Sequence, residues 1–523
     1  MKNDQWLQPS SLTKLHQSPD RTSGKVFLIG AGPGDPGLMT VKGTRLLKEA
    51  DVVVFDRLVD PDILSLIPPT AEPMDVGKLA GHHPVPQEGI NQILVDQAMA
   101  GKKVVRLKGG DNFLFGRGGE ELEALIAHKI PFEVVPGITS ALAAPAYAGI
   151  PVTHRDYCSS VHVITGHKRQ DQPLDIDFGA LVRLRGTLVF LMSLATIGDI
   201  MLGLMQAGLP PETPAAVIER GTRPDQRKVL AAVGELEQRV KEEAIGSPAL
   251  IVVGQVCRLS TSMDWFSQLP LKGVRILVTR PKSQAAVFIN RLRDLGAAVT
   301  ALPSIVTQKL DFDLPDFMDF GSILFTSASG VHFFMEQLFA REQDSRALCG
   351  LLIVAIGPAT AQALHEYGLR ANFVPTQYTG GMLASQLLSD PTRNLGRVLI
   401  TRAKVSDPML TDVLREASVE YLDLPVYETV RASQASVDPL AFDYVTFTSA
   451  SCVTHFTESV SDLDALKQVK AVCIGQQTAR QAQAFGMQVL VSEASTIDSM
   501  VDCLCAQVRL NPNSSESQED SPC

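Results

Sequence analysis

Nowhere in the 523 residues does an uninterrupted apolar run approach the ~18 needed to cross a bilayer, and the opening MKNDQWLQPSSLTKLHQSPDRTS lacks the apolar stretch of a secretory signal. A cytoplasmic location is therefore expected. An excess of positive charge is missing too: 47 Lys and Arg stand against 57 Asp and Glu, a formal charge of −10, which argues against a chain-wide nucleic-acid footprint. Any polyanionic ligand must find a local basic patch. The 8 cysteines are scattered through apolar segments and make no disulfide framework. Cys503-x-Cys505 and the adjacent His82-His83 each lack further ligands at zinc spacing, so no metal is expected. What is present, 45% hydrophobic and 20% charged residues with 39 Gly and 32 Pro, is ordinary α/β composition, and the length suggests about three or four compact units.

Residues 1–22 and 509–523 are polar and aperiodic, and both read as disordered tails. Between them β-branched runs such as KVFLIG, ADVVVFD, KKVVRLKGG, VHVITG, TLVFLM and ALIVVG alternate with amphipathic stretches, the pattern of strands joined through helices over a largely parallel sheet. The rhythm breaks at LSTSMDWFSQLPLKG, so 263–273 reads as a linker between a unit at 23–262 and another at 274–508. The second unit contains a duplication. ILVTRPKS at 276 recurs as VLITRAKV at 398, Leu302-Pro303 as Leu424-Pro425, FTSASGV at 325 as FTSASCV at 447, and AIGPATAQA at 355 as CIGQQTARQ at 473. A period this long indicates a duplicated domain with a cleft between copies; a solenoid repeat would span about 20–50 residues.

At the front, KVFLI runs into Gly30-Ala31-Gly32-Pro33-Gly34-Asp35-Pro36-Gly37. Gly32-x-Gly34-x-x-Gly37 has the form of a dinucleotide fingerprint, with Asp56 placed to hold a ribose. Pro33 and Pro36 each remove an N–H that a phosphate would use, and Asp35 sets a carboxylate beside any anion, a like-charge cost on the order of 4 kcal/mol at contact distance. A second strand, KVVRLKGGD, again ends in Gly109-Gly110 followed by an acid, Asp111. S-adenosylmethionine, with a sulfonium, an ammonium and a ribose diol but no phosphate, suits such loops. The plain alternative is that these glycines only supply left-handed turns between strand and helix.

The segments GAGPGDPGLMTVKG, VVVFDRLV, VGKLAGHHPVPQEGINQIL, VVRLKGGDNFLFGRGGEE, VVPGITSALAAPAYAGIPVTHRD and TGHK resemble the uroporphyrinogen-III C-methyltransferase family of tetrapyrrole methylases over about residues 24–262. The resemblance implies two α/β subdomains with S-adenosylmethionine between them, a homodimer, and two carbon methylations of uroporphyrinogen III to precorrin-2, on the way to siroheme and cobalamin. It also implies cofactor contacts at Pro33, Gly109, Gly110, Asp111, Leu114, Thr139, Ser140, Met192 and Gly221, and an acid/base pair at Asp56 and Lys78. Leu114 and Ser140 stand where relatives often carry Ile and Ala. Siroheme synthases of similar sequence place a dehydrogenase and chelatase unit in front of this domain; with only a 22-residue tail here, neither oxidation nor iron insertion is expected.

Methyl transfer needs alignment of a pyrrole carbon with the donor methyl and a group to accept a proton, and Asp56 is the candidate base with Lys78 balancing charge or returning a proton. The alternative leaves Asp56 as a loop cap and Lys78 as a propionate partner. Uroporphyrinogen carries eight carboxyl arms, so cations are required, and Arg106, Lys108, Arg117, His154, Arg155, His167, Lys168 and Arg169 are the candidates. Arg106, Lys108, His154 and Arg155 are the expected substrate contacts of this unit.

Residues 274–508 carry no Walker loop, HExxH or GxSxG. What recurs is Ser and Thr at strand ends, which either line a neutral, anion-receptive cleft or cap helices. LVTRP, FTSASGV, the Tyr of PVYETV, FTSASCV and IGQQTA resemble uroporphyrinogen-III synthase. That resemblance implies two α/β domains across a substrate cleft, with the chain crossing from one to the other and back; the two Leu-Pro sites fit those crossings. It implies cofactor-free closure of hydroxymethylbilane with inversion of the last ring, by positioning a linear octa-acid. Tyr427 is the candidate for assisting loss of the hydroxyl, or a buried structural tyrosine; Ser449, Gln476, Gln477 and Thr478, then Thr326 and Ser327, are candidate binding groups. The expected fold is thus a two-subdomain tetrapyrrole methylase followed by a duplicated two-domain α/β synthase. Two other readings stay open: a nucleotide-dependent oxidoreductase fused to a ligand-binding module, and a non-enzymatic tetrapyrrole sensor.

Overall fold

The computed structural model describes residues 24–77, 85–166, 174–280, 282–302, 305–390, 393–431 and 437–510. Two compact units divide at Gly273, with the short segment Leu295–Ala298 grouped with the first.

The first unit holds two five-stranded sheets. β1 (Lys25–Gly30), β2 (Val52–Phe55), β3 (Glu72–Asp75), β4 (Lys103–Lys108) and β5 (Phe132–Val135) lie in the order β3-β2-β4-β1-β5, all parallel. Alternation sends Phe27, Ile29, Val53, Val105 and Leu107 to one face, against Leu46 and Leu47 of the helix Val41–Lys48. Val26, Leu28, Val52, Val54 and Val104 face the other way, onto Ile90 and Leu94 of Gln87–Met99 and Leu125 of Gly118–Ala127. Both faces are covered, which is why these strands read as continuous apolar runs. Because β1 and β4 are neighbours running the same way, their two glycine loops emerge side by side at one edge, where ligands bind open parallel sheets.

The second sheet comprises β6 (Val161–Thr165), β7 (Thr187–Leu191), β8 (Pro214–Glu219), β9 (Arg227–Ala232) and β10 (Ala249–Val253), ordered β6-β7-β10-β8-β9. Here the expectation of a largely parallel sheet fails: β6 and β7 are parallel, whereas β10 runs antiparallel to β7 and β8, and β8 to β9. The short connection between β8 and β9 admits an antiparallel pair without a crossover helix, and apolar runs alone do not distinguish the two directions. The stretch 263–273, expected as a linker, is folded onto this unit. Phe266 and Leu271 are buried, and Trp265 meets Tyr147 edge-on at 5.0 Å while its Nε1 donates to the Ala146 carbonyl at 3.1 Å.

The second unit contains β11 (Arg275–Val278), β12 (Ala298–Ala301), β13 (Ile305–Lys309), β14 (Ser322–Phe325), β15 (Leu352–Ala355), β16 (Val398–Ala403), β17 (Tyr421–Arg431), β18 (Tyr444–Phe447), β19 (Lys470–Cys473) and β20 (Gln488–Val491). They form two sheets, β12-β11-β18-β19-β20 and β13-β17-β16-β14-β15. The two sequence copies exchange their first strand: β11, from the first copy, pairs with β18 of the second, and β16, from the second, pairs with β14 of the first. Each sheet is therefore built from both copies. Of the two Leu-Pro sites, Leu302 falls directly after β12, where the chain passes from one sheet to the other. Leu424-Pro425 lies inside β17, and the return follows Arg431. β17 pairs with β16 up to Tyr427 and with antiparallel β13 from Tyr427 to Arg431, with a register shift at Arg402/Ala403. Pro425, which cannot donate to a ladder, sits just before this change of partner.

Candidate functional site

In the first unit the two glycine loops cross. Gly32 and Gly110 form an isolated antiparallel bridge, the Gly32 N–H donating to Gly110 O at 3.1 Å and the Gly110 N–H to Gly32 O at 2.7 Å. Gly32 and Gly110 have positive φ, and beside them side chains are excluded: a Cβ on Gly30 would lie 2.5 Å from Gly137 Cα, and one on Gly137 2.1 Å from Gly110 O. Pro33, Gly109 and Asp111 flank this bridge, and the backbone they leave bare is suited to a ligand that approaches main chain closely.

The two loop acids are both committed to the protein. Asp111 Oδ1 accepts from the Phe113 and Leu114 N–H groups at 2.8 and 3.1 Å, and its Oδ2 accepts from Gly137 N–H at 3.1 Å, tying the second loop to the third. Asp35 Oδ1 accepts from Gly37 N–H and its Oδ2 from the Tyr147 hydroxyl, each at 2.7 Å. Burial, with the neighbouring Asp35 carboxylate, raises the Tyr147 phenol well above its usual range, so Tyr147 stays a donor. Asp35 and Asp111 thus shape the loops, and any attraction they exert on a cationic ligand acts through their field.

Further expected cofactor residues gather around one apolar cluster. Leu114 packs against a buried cluster that includes Ala141 and Ala144 of the helix Ser140–Tyr147, Val189 of β7 and Ile218 of β8. Thr139 caps that helix, its Oγ1 accepting from Ala141 N–H at 3.2 Å, with Ser140 next in the chain. Gly221 faces the same helix so closely that a Cβ there would lie 2.2 Å from the Ala144 Cβ. Met192, 54% exposed with φ of 55°, follows β7.

Asp56 follows β2. Its Oδ1 accepts from Leu58 N–H at 3.2 Å, and Leu58 packs so tightly on Gly109 that a Cβ there would come within 2.7 Å of Leu58 Cβ. The carboxylate therefore stands beside the second glycine loop. Its expected partner Lys78 lies outside the described residues, as do His167, Lys168 and Arg169.

Two expected substrate cations are misplaced by the sequence reading. Arg106 and Lys108 are 2% and 5% exposed, and both donate to the fully buried Glu121 Oε1, at 3.0 and 2.9 Å. They alternate along β4 on the face beneath the helix Gly118–Ala127, so neither presents its charge to a ligand. Burial, then the adjacent Arg106, lowers the Lys108 amine below its usual range. Arg117 is exposed and paired with Glu120. His154 and Arg155 occupy the loop before β6, His154 against the Tyr157 ring at 5.0 Å.

Sequence reasoning missed a second bridge to the first glycine loop. Asp35 N–H donates to Thr222 Oγ1 at 3.2 Å, Arg223 pairs with Asp60 at 3.2 Å, and Gln226 Oε1 accepts from Thr222 N–H at 2.8 Å. The partners in the first two of these contacts are separated by more than 150 residues, and no local motif announces them.

In the second unit the expected groups lie at strand C-terminal ends. Ser327 caps the helix Ala328–Ala340, and its Oγ is 3.0 Å from the Tyr427 hydroxyl; Tyr427 is 8% exposed with its ring 5.8 Å from that of Phe333. The Thr326 hydroxyl donates to Thr401 O at 3.1 Å. On the other sheet Ser449 caps Ala450–Thr457, while Gln476 and Gln477 are exposed at the first positions of the helix Gln476–Ala484. Thr478 is buried at 5%, since the third position of that helix faces its sheet, and it is not available as a binding group. Among the described residues no group of three His, Cys, Asp or Glu could hold a metal ion, and no helix is long and apolar enough to cross a membrane.

The profile of the Tetrapyrrole (Corrin/Porphyrin) Methylases matches residues 25–237, and that of Uroporphyrinogen-III synthase HemD matches residues 286–502. The matches define the class, an enzyme of tetrapyrrole metabolism with methyltransferase and synthase activities. The "Porphyrin biosynthesis protein HemD" of Ruminiclostridium josui is 46% identical over 493 residues, covering 92% of this chain and 97% of that protein. The chain belongs to this family of porphyrin biosynthesis proteins. "Siroheme synthase 2" of Yersinia pestis bv. Antiqua (strain Nepal516) is 49% identical over 266 residues, 51% of this chain and 56% of that one, so the chain spans little more than half of that relative. A solved uroporphyrin-III C-methyl transferase from Thermus thermophilus, complexed with S-adenyl homocysteine, is 40% identical with a TM-score of 0.39, covering 45% of this chain and 94% of that one. An oxidoreductase joined to a ligand-binding module finds no support in these matches.

Proposed function

We propose that the first unit methylates uroporphyrinogen III twice, giving precorrin-2, and that the second closes hydroxymethylbilane to uroporphyrinogen III with inversion of the last ring. The observation that carries this reading is the 46% identity to a porphyrin biosynthesis protein along 493 residues, which spans both units. The product of the C-terminal unit would then be the substrate of the N-terminal one.

S-adenosylmethionine, when bound, supplies the methyl group. The bridged Gly32 and Gly110 fit such a donor, because they bare main chain beside two carboxylates and two prolines, where a phosphate would find few donors and like charge. Pro33, Gly109, Gly110, Asp111, Leu114, Thr139, Ser140, Met192 and Gly221 are the proposed contacts. The attacked pyrrole carbon is fully substituted and becomes quaternary, so the cation formed with the new carbon–carbon bond is neutralised by loss of a proton from a ring N–H or a bridging CH2, and Asp56, beside the second loop, accepts it. Lys78 is proposed to balance that charge.

In the second unit, strand-end hydroxyls and helix N-termini hold the carboxylates of the linear substrate, with the Tyr427 hydroxyl, linked to Ser327, assisting loss of water. A cytoplasmic homodimer associating through the first unit completes the proposal. The test supplies hydroxymethylbilane and S-adenosylmethionine to the purified chain: precorrin-2 is expected, and uroporphyrinogen III without methylation would separate the two claims. S-adenosylhomocysteine, but not NAD, is expected to raise the melting temperature.

A further inference from the structure

We propose that Arg106 is a positioning residue for methyl transfer, fixing the Asp56 carboxylate and supplying its counter-charge from beneath the site. The inference rests on the assignment of Asp56 made above. In the β2–β4 register Arg106 lies opposite Val54, so its side chain runs along β2 toward the strand end that carries Asp56. The guanidinium is engaged on every nitrogen. Nε donates to Glu121 Oε1 at 3.0 Å, Nη1 to Leu107 O at 3.1 Å and Val54 O at 3.4 Å, and Nη2 to Asp56 Oδ2 at 3.4 Å.

The charges around it do not balance without Asp56. Arg106 and Lys108 converge on one oxygen of the fully buried carboxylate of Glu121, whose other oxygen has no hydrogen-bond partner. Asp56, with its side chain 28% exposed, is the second anion and the member of the group that reaches the surface. Without Asp56, two cations would face one buried anion, so the guanidinium and the Asp56 carboxylate hold each other in place. Lysine cannot substitute, because a point charge cannot hold two carboxylates and two carbonyls in a fixed fork.

The test uses the full chain, with uroporphyrinogen III and S-adenosylmethionine, and places Arg106→Lys and Arg106→Met in the parent and in an Asp56→Asn background. In the parent, kcat for methyl transfer is expected to fall on the order of tenfold with both KM values unchanged, and the same change is expected to have no further effect beside Asp56→Asn. Should Arg106→Met fail to show a melting shift with S-adenosylhomocysteine, Arg106→Lys alone decides. Equal losses in both backgrounds, unchanged kcat, or a raised KM for uroporphyrinogen III would overturn the proposal while leaving Asp56 in place. Full turnover by Asp56→Asn would overturn the Asp56 assignment, and this inference with it.

Discussion

In the first unit β4 carries Arg106 and Lys108 into the interior, where they meet Glu121 directly behind Asp56. In the second unit hydroxyls stand at the strand ends: the buried Thr279 and Thr401 donate to Thr446 O at 2.8 Å and Leu324 O at 3.1 Å, and the half-buried Thr326 donates to Thr401 O at 3.1 Å. The contrast follows the chemistry proposed for each. A carboxylate that must meet the reacting pyrrole in one geometry benefits from a buried charged fork behind it. A surface that arranges a flexible polyanion needs neutral donors in fixed places, and threonines that pin neighbouring strands supply the rigidity.

The sharpest way to break this comparison is Glu121→Leu, which leaves two buried cations with only the partly exposed Asp56 as counter-charge. The first unit should lose about 3–5 kcal/mol, read as earlier thermal unfolding and lost protection by S-adenosylhomocysteine; an unchanged melting temperature would mean that buried charge does not hold this unit together. Asp56→Ala should slow methyl transfer by about a hundredfold or more and leave hydroxymethylbilane cyclisation intact, measured on the same preparation. Tyr427→Phe should slow cyclisation about tenfold, short of a full general-acid effect, with the symmetric isomer rising; wild-type isomer ratios would make it a structural tyrosine. Removing the caps with Ser327→Ala or Ser449→Ala should each cost about 1 kcal/mol of second-unit stability, by denaturant titration, without touching methylation.

The smallest effect belongs to Glu133, whose carboxyl the hydrogen-bonding Lys25 and Lys42 ammonium groups hold down to about 2. A lowered carboxyl contributes stability above its unfolded value near 4.5, and that contribution disappears as pH falls toward 2. The side chain is 30% exposed, so screening keeps the contribution under about 1 kcal/mol. Acid titration of Glu133→Gln should lack this component.

Strand runs, both glycine loops and the duplication were legible because each is written locally, in alternation or in repeated words. Strand direction was not: β8 and β10 are as apolar as β1 yet pair antiparallel, and apolar alternation does not carry direction. The close approach of Gly30 to Gly137, which admits no side chain at either, joins positions more than 100 residues apart and was not legible. The charges misled. Arg106 and Lys108 alternate with Val105 and Leu107 on a strand buried on both faces, and the acid that draws them inward, Glu121, sits on a helix whose packing the sequence does not reveal. Thr478 failed similarly, since a hydroxyl at a helix start faces either solvent or sheet according to one turn of phase.

The exchange of β11 and β16 between the sequence copies has a consequence for anyone who would dissect the second unit. A gene cut between the two repeats would give polypeptides that each own strands belonging to the other's sheet, so neither could close its fold alone. Such fragments would behave as an obligate complementing pair, and a circular permutant that keeps every strand would be the gentler way to move the termini.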